Sequence, residues 1–485
     1  MIRSLVTLLA ATSLTACSLA PHYVRPELPV PPSWPVGDAY LQQSEATLPT
    51  VSYTDIFRDT RLQTLITQAL ANNRDLRVAA ANIAAARATY HIQRAELLPE
   101  VDATAGYRLA HSGGGTGATA TGTAGTTHSL SADIGITSFE IDLFGRIRSL
   151  TTAAQDRYFG TEAAARATRL TMVGDIATTW LTYASDRSLL KIAQDTAESA
   201  QRSVKLTKAR LDGGIAPRTD LDQASNVLQT ALSDVAQQTT AVAQDVNALQ
   251  LLVGAPIDPA LLPASIDEAA PTVAELPAGL DSRVLLRRPD VVQAEYELRA
   301  TNAEIGAARA QLFPRITLTA LIGFASNALS NLFTGGAFNY SVAPNASYPI
   351  FRAGAGKATV AQSEAQRDAA LATYEKAIQT AFREVADGLA RRGTIADQEK
   401  AQRALTAAAS DNYKLSDARY RGGIDTFLNS LDAQRSLYSA QRSLVATELA
   451  KATNLVTLYR TLGGDSQLEP AASGPKPANE ATTPR

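Results

Sequence analysis

The sequence predicts a mainly α-helical chain that carries a small strand portion and is laid out twice on one plan. Three observations predict it. Residues 146–211 and 353–421 contain no proline, and at 1.5 Å per residue each would form a helix roughly 100 Å long, far more than a globular core needs. Both stretches then end in a double glycine, Gly213-Gly214 in LDGGIAPRTDLDQA and Gly422-Gly423 in YRGGIDTFLNSLDAQ. Finally, Phe144 with Phe351, Gly213 with Gly422, Gly254 with Gly463 and Pro99 with Pro314 lie about 207 to 215 residues apart, the offset expected of an internal two-fold repeat.

The N-terminus reads MIRSLVTLLAATSLTAC: a positive end at Arg3, an apolar run from Leu5 to Leu14, and small residues before Cys17. This is a secretory signal over residues 1–16, too short to span a bilayer. Leu14-Thr15-Ala16-Cys17 also has the form of a lipobox, in which the peptide is cut before the cysteine and the cysteine is acylated. Cys17 is the single cysteine in the chain, so an intramolecular disulfide is excluded and lipidation gives it a use. Ser18, rather than an aspartate, in the following position resembles the sorting signals of enteric bacteria, a resemblance that implies delivery to the outer membrane. No later segment offers about 18 consecutive apolar residues, so a membrane crossing has to be made by strands.

Residues 17–58 begin proline-rich and aperiodic, as an extended arm lying on something else. Residues 59–254 make the first repeat. A helix over 59–98 stops at Pro99. VDATAGYRLA and HSLSADIGITSFEIDLF then alternate as strands around a glycine- and threonine-rich loop. A long loop between strands of about ten residues matches the outward loops of outer-membrane barrels. That loop has no lysine and no helix after it, so a phosphate cradle is the poorer reading. The long helix, the glycine turn and a return helix over 219–253 follow. After a proline-rich connector, 255–280, the second repeat occupies 281–464 with strands in PRITLTALIGF and FNYSVAPNASYPIF. Residues 465–485 read as a disordered tail.

Four strands per chain cannot close a barrel, and an open edge in hydrocarbon would cost several kcal/mol per unpaired group. The chain therefore has to oligomerise around a shared barrel, as a dimer or a trimer by strand arithmetic alone. The long helices carry Ala, Ser, Thr and Gln where a compact bundle would carry Leu and Ile, which suits a wide tube with polar inner and outer faces. A solvated coiled coil without a channel is the alternative; hairpins at matched positions argue against it. Phe139, Phe144, Tyr348 and Phe351 fall where strands meet helices and suit either an interfacial aromatic belt or packing at the junction.

Other function classes are weakly supported. With 45 basic and 47 acidic residues and a formal charge of -2, no basic run tracks phosphates, and nucleic acid is not an expected partner. His22, His91, His111 and His128 show no ligand spacing, and no nucleophile or metalloprotease motif is present. The expectation is no enzyme, no metal centre and no cofactor.

The lipobox, the PHYVRPELPVPPSW arm, the ELLPEVDATAGY and QLFPRITLTALIGF junctions, FEIDLFGRIR and RYRGGIDTFLNSLDAQRSL together resemble the TolC-type outer-membrane factors, in the branch of NodT/OprM-like lipoproteins serving resistance-nodulation-division efflux pumps. The resemblance implies a homotrimer with a twelve-strand outer-membrane barrel continued by a long α-helical tunnel into the periplasm. It also implies a periplasmic adaptor (membrane fusion protein) and an inner-membrane pump as partners, outer-membrane lipid around the barrel and acyl chains on Cys17. The function implied is a passive exit duct for drugs or other small toxic compounds; polypeptide secretion and heavy-metal efflux are the alternatives. By position, Gly213, Gly214, Gly422 and Gly423 become turns of the periplasmic tip, with Leu428 and Asp432 as its inward gate rings, one turn apart on one helix face. Arg419, Tyr420 and Arg421 are the expected tip contacts, and a surface pairing of Asp432 with Arg435 is the competing account of that carboxylate.

Overall fold

The computed structural model describes residues 18–40, 52–112, 125–274 and 282–464. The leader, Cys17 with its expected lipid, the glycine-rich loop and the tail lie outside the described residues. The principal elements are helices α1 (Thr60–Asn72) and α2 (Arg74–Ala95), strands β1 (Asp102–Ser112) and β2 (Gly125–Glu140), and helices α3 (Arg146–Asp212) and α4 (Arg218–Val253). A similar order follows, with one α-helix instead of two before the strands, in α5 (Pro289–Ala310), β3 (Arg315–Ser326), β4 (Phe338–Ser347), α6 (Ala355–Arg421) and α7 (Phe427–Thr461).

The two long helices begin and end alike. Gly145 (φ 74°) and Gly354 (φ 85°) precede α3 and α6 in the left-handed region, which gives the chain its sharp turn out of the sheet. Each helix then runs 67 residues without a proline to its glycine pair. One departure from the sequence expectation lies at Asn73, which divides the helix expected over 59–98. Its extended backbone (ψ 136°) ends α1, its side chain caps α2 at the amide of Leu76, and its Nδ2 donates to the carbonyl of Leu252 at 2.6 Å. That bond ties the break to the end of α4, which packs alongside.

The four strands form one antiparallel sheet in the order β1-β2-β3-β4. Direct partners share a face, so the register sorts the residues. One row runs Ala103–Ile134–Ile322–Tyr340; the next residues along the strands give Thr104–Asp133–Gly323–Asn339. The first face is apolar and exposed, and Tyr107, Leu109, Phe338 and Val342 lie on it with Ile134, Ile322 and Tyr340. The second is polar. A bulge between Ile136 and Phe139 inserts one residue in β2, and Thr319 spans it by donating to the carbonyl of Thr137 at 2.9 Å. Among the described strands, β1 and β4 each have one unpaired edge.

The main core sits at the waist of the molecule. There α1, the middle of α3, the end of α4, the connector, the middle of α6 and the end of α7 converge around Trp180, Leu62, Leu65, Tyr374 and Tyr459. Trp180 is fully buried, its Nε1 donating to the carbonyl of Leu261 at 3.0 Å. Outside this core α3 and α5 also meet through small residues at Ala153, Ala300 and Ala303, and α2, α3 and α5 through the aromatic cluster of Tyr90, Tyr158, Phe159 and Tyr296.

The arm, residues 18–40, lies along α5 and α6. Arg25 grips Glu295 with two bonds of 2.9 and 3.0 Å, Asn302 donates to the carbonyl of Pro21, and Trp34 stacks on Phe382 at 4.7 Å. Gly306 leaves room for the arm, since a Cβ there would come within 2.7 Å of the amide nitrogen of Ala20.

Candidate functional site

The two glycine turns lie a full helix length, on the order of 100 Å, from the sheet, and they are built alike. Gly214 (φ 71°) and Gly423 (φ 72°) adopt left-handed backbone, and the following amides, Ile215 and Ile424, return to the carbonyls of Arg210 (2.8 Å) and Arg419 (2.9 Å). Such a pair of bonds satisfies the last helical carbonyls and reverses the chain within five residues. Gly213 and Gly422 keep ordinary negative φ and form the helix ends.

The expected tip contacts divide. Tyr420 is buried, its ring packed on Phe427 at 5.2 Å in a small cluster with Ala224 and Leu431. Arg419 and Arg421 are exposed and pair within their own hairpin, with Asp425 (3.2 Å) and Asp417 (2.9 Å). Besides this packing against Ala224, a polar contact between hairpins comes from Arg210, which the sequence does not single out. Its guanidinium lies 4.4 Å from the Tyr420 ring centroid and donates to the carbonyls of Tyr420 and Arg421, each at 3.3 Å. Nothing local marks Arg210, because its partners are 210 residues away.

Leu428 and Asp432 are both exposed on one face of α7, next to the face that buries Phe427 and Leu431. Asp432 lies 3.7 Å from Arg435, a solvent-exposed pair of small energetic weight. Farther along the shafts, Tyr438 donates to Asp234 at 2.5 Å and Ser199 bonds the hydroxyl of Tyr413 at 2.8 Å, so tyrosines of the second half also meet polar groups of the first.

At the other end the aromatic residues separate into two roles. Phe144 stacks on Phe313 at 4.7 Å inside the strand–helix junction, whereas Tyr348 and Phe351 are exposed, the latter at 85%. His111 lies in β1, not in a loop as the sequence suggests, and bonds Thr126; His128 accepts from or donates to the Tyr107 hydroxyl at 2.9 Å. Among the described residues no group of three metal-ligating side chains exists and no helix is apolar enough to cross a membrane.

A sheet with one apolar exposed face and one polar face, set on polar-sided helices 67 residues long, defines an outer-membrane channel subunit with a periplasmic extension. Residues 65–255 and 280–464 match the outer membrane efflux protein family, and the chain belongs to that family. It is 44% identical over 475 residues to the toluene efflux pump outer membrane protein TtgC of Pseudomonas putida, covering 96% of each chain. The antibiotic efflux pump outer membrane protein ArpC of the same species matches to the same extent, 44% over 475 residues and 96% of each. Among solved structures, the open state of the Neisseria gonorrhoeae MtrE outer membrane channel superposes with a TM-score of 0.82 at 32% identity, covering 93% of this chain and 98% of that one. The protein is thus an outer-membrane component of an efflux system.

Proposed function

We propose that three copies of the chain close one barrel of twelve strands, four from each, and that the assembly is a passive exit duct for small hydrophobic toxicants such as aromatic solvents and antibiotics. The observation that carries this is the two-faced, open-edged sheet. Its apolar row would be in lipid, its polar row would line the lumen, and the edges of β1 and β4 find partners only on neighbouring copies. Relatives serving toluene and antibiotic pumps support the substrate class. In this reading transport energy comes from an inner-membrane resistance-nodulation-division pump reached through a periplasmic adaptor. The duct itself performs no catalysis.

Two site assignments belong to the same reading. Acylation of Cys17 would anchor the chain at the inner surface of the outer membrane, supported by Arg309 holding the carbonyl of Leu19 at 3.4 Å near the end of α5, just before the sheet begins. Leu428 and Asp432 would form the gate rings at the tip, supported by their shared exposed face on α7. Susceptibility of a deletion strain with and without the restored gene, across solvents, antibiotics, bile salts and metal ions, tests the function. Restored resistance to solvents or antibiotics is expected; restoration confined to metal ions, or no effect with loss of an exported protein, would overturn the substrate class.

A further inference from the structure

The floor of the barrel, where strands hand over to helices, holds more cations than it can neutralise. Glu140 pairs in register with Thr317, and Arg315 with Ser347, which puts both on the polar face of the sheet. Arg146, the first residue of α3, grips Glu140 with two bonds of 2.8 and 2.9 Å, and Arg315 reaches the same carboxylate at 3.3 Å. Asp142 is engaged by Arg148, through the backbone amide at 2.9 Å and Nε at 3.3 Å. Arg352, in the link between β4 and α6, lines the same cavity and has no ion pair or hydrogen bond from its side chain among the described residues. Even with Glu96, whose charge reaches Arg146, guanidiniums outnumber carboxylates here.

The cavity they surround has a volume of about 140 Å³, space for roughly four water molecules or one oxyanion with part of its shell. The bidentate Arg146–Glu140 pair already joins strand to helix, so Arg315 and Arg352 are surplus to that joint. Guanidiniums crowded around one carboxylate repel one another, and their forked donors match the geometry of a carboxylate, sulfate or phosphate group. We infer that this cavity is an oxyanion site in the lumen, held by Arg315 and Arg352, that takes the anionic group of a soluble solute passing from tunnel to barrel. The inference rests on the duct reading for the lumenal position of the cavity and the direction of passage; binding itself does not require transport. A soluble source is favoured over a lipid headgroup because Glu140 and Arg315 lie on the polar face, opposite the row that carries Ile322 and Tyr340.

The test uses full-length protein in detergent, with sulfate as the probe and chloride at matched ionic strength as the reference. Sulfate should raise the melting temperature saturably. Arg352→Gln should weaken its apparent affinity roughly tenfold, the worth of one charge-assisted hydrogen bond, while Arg352→Lys retains most of it. No sulfate-specific shift, or an equal shift in Arg352→Gln, overturns the site. A shift produced by phosphatidylglycerol micelles and not by sulfate overturns the soluble source. Planar-bilayer recording of the same samples separates the two readings: sulfate binding in a protein that never conducts would sink the duct and leave the site standing.

Discussion

Arg210 and Tyr420 join the two hairpins of the chain at the end remote from the sheet: the guanidinium stacks 4.4 Å from the ring centroid and its Nη2 donates to the Tyr420 carbonyl at 3.3 Å. Such a contact is worth about 1 kcal/mol, so Arg210→Ala should favour separation of the hairpins roughly fivefold. Single-channel recording should show more frequent high-conductance openings, and Arg210→Ala combined with Tyr420→Ala should fall short of the sum of the two single effects, because both remove the one guanidinium–ring contact. Fully additive effects would mean that the two residues act independently.

Asp432 is exposed and weakly paired with Arg435. If its copies gather at an axis, they narrow the opening and hold cations there. Asp432→Ala is expected to raise conductance and lower cation preference, and Asp432→Asn to change the preference alone. An unchanged channel in both variants would remove Asp432 from the gate.

The paired glycines of a tip turn should respond unequally. Gly423 sits at φ 72° and Gly422 at φ −76°, so Gly423→Ala should cost about 1 kcal/mol and Gly422→Ala much less. Amide exchange at Ile424, bonded to the carbonyl of Arg419, reads the difference. Equal exchange in the two variants would contradict the turn geometry.

Asp245 on α4 faces Asp186 on α3. Burial, then the Asp186 charge and its hydrogen bond, push the Asp245 carboxyl up from 3.8 to about 7. The folded state therefore holds a proton that the unfolded chain releases, and the stability from this carboxyl is complete below about pH 4. It is lost as pH rises to about 7, and the profile is flat above that. Asp245→Asn should melt higher than the native protein at pH 8 and match it near pH 4. Parallel melting profiles for the two proteins would refute the pairing.

Trp34 is 2% exposed and stacks on Phe382. Truncation to alanine should cost about 3 kcal/mol of arm docking, roughly a hundredfold in the released population. Limited proteolysis within residues 18–40 should accelerate while the oligomer survives gel filtration. Unchanged cleavage would show that Arg25 and Asn302 hold the arm unaided.

Much of the fold was legible because its signals are local. Proline-free length marked α3 and α6, the double glycines marked the turns, period-two alternation marked β1 and β2, and the matching offset marked β3 and β4. What escaped notice is long-range. The break at Asn73 follows from a bond to Leu252, 179 residues on, and no proline or glycine stands there. Residues such as Leu428 and Asp432 could be placed on one helix face by spacing, but the neighbours of that face are a matter of packing.

The sequence by itself determined most of the elements and their order, since these depend on backbone propensity and on periodicity within a few residues. Tertiary structure alone decided which sheet face is polar at each register, that the Tyr420 ring and the Tyr420 and Arg421 carbonyls, but neither the Arg419 nor the Arg421 side chain, meet Arg210 of the opposite hairpin, and that Arg315 joins Arg146 at Glu140 while Arg352 faces the same cavity without a partner among the described residues. Electrostatic and aromatic contacts act over a few ångströms of space, and the chain brings those groups together from positions as far apart in sequence as Arg25 and Glu295 or Trp34 and Phe382.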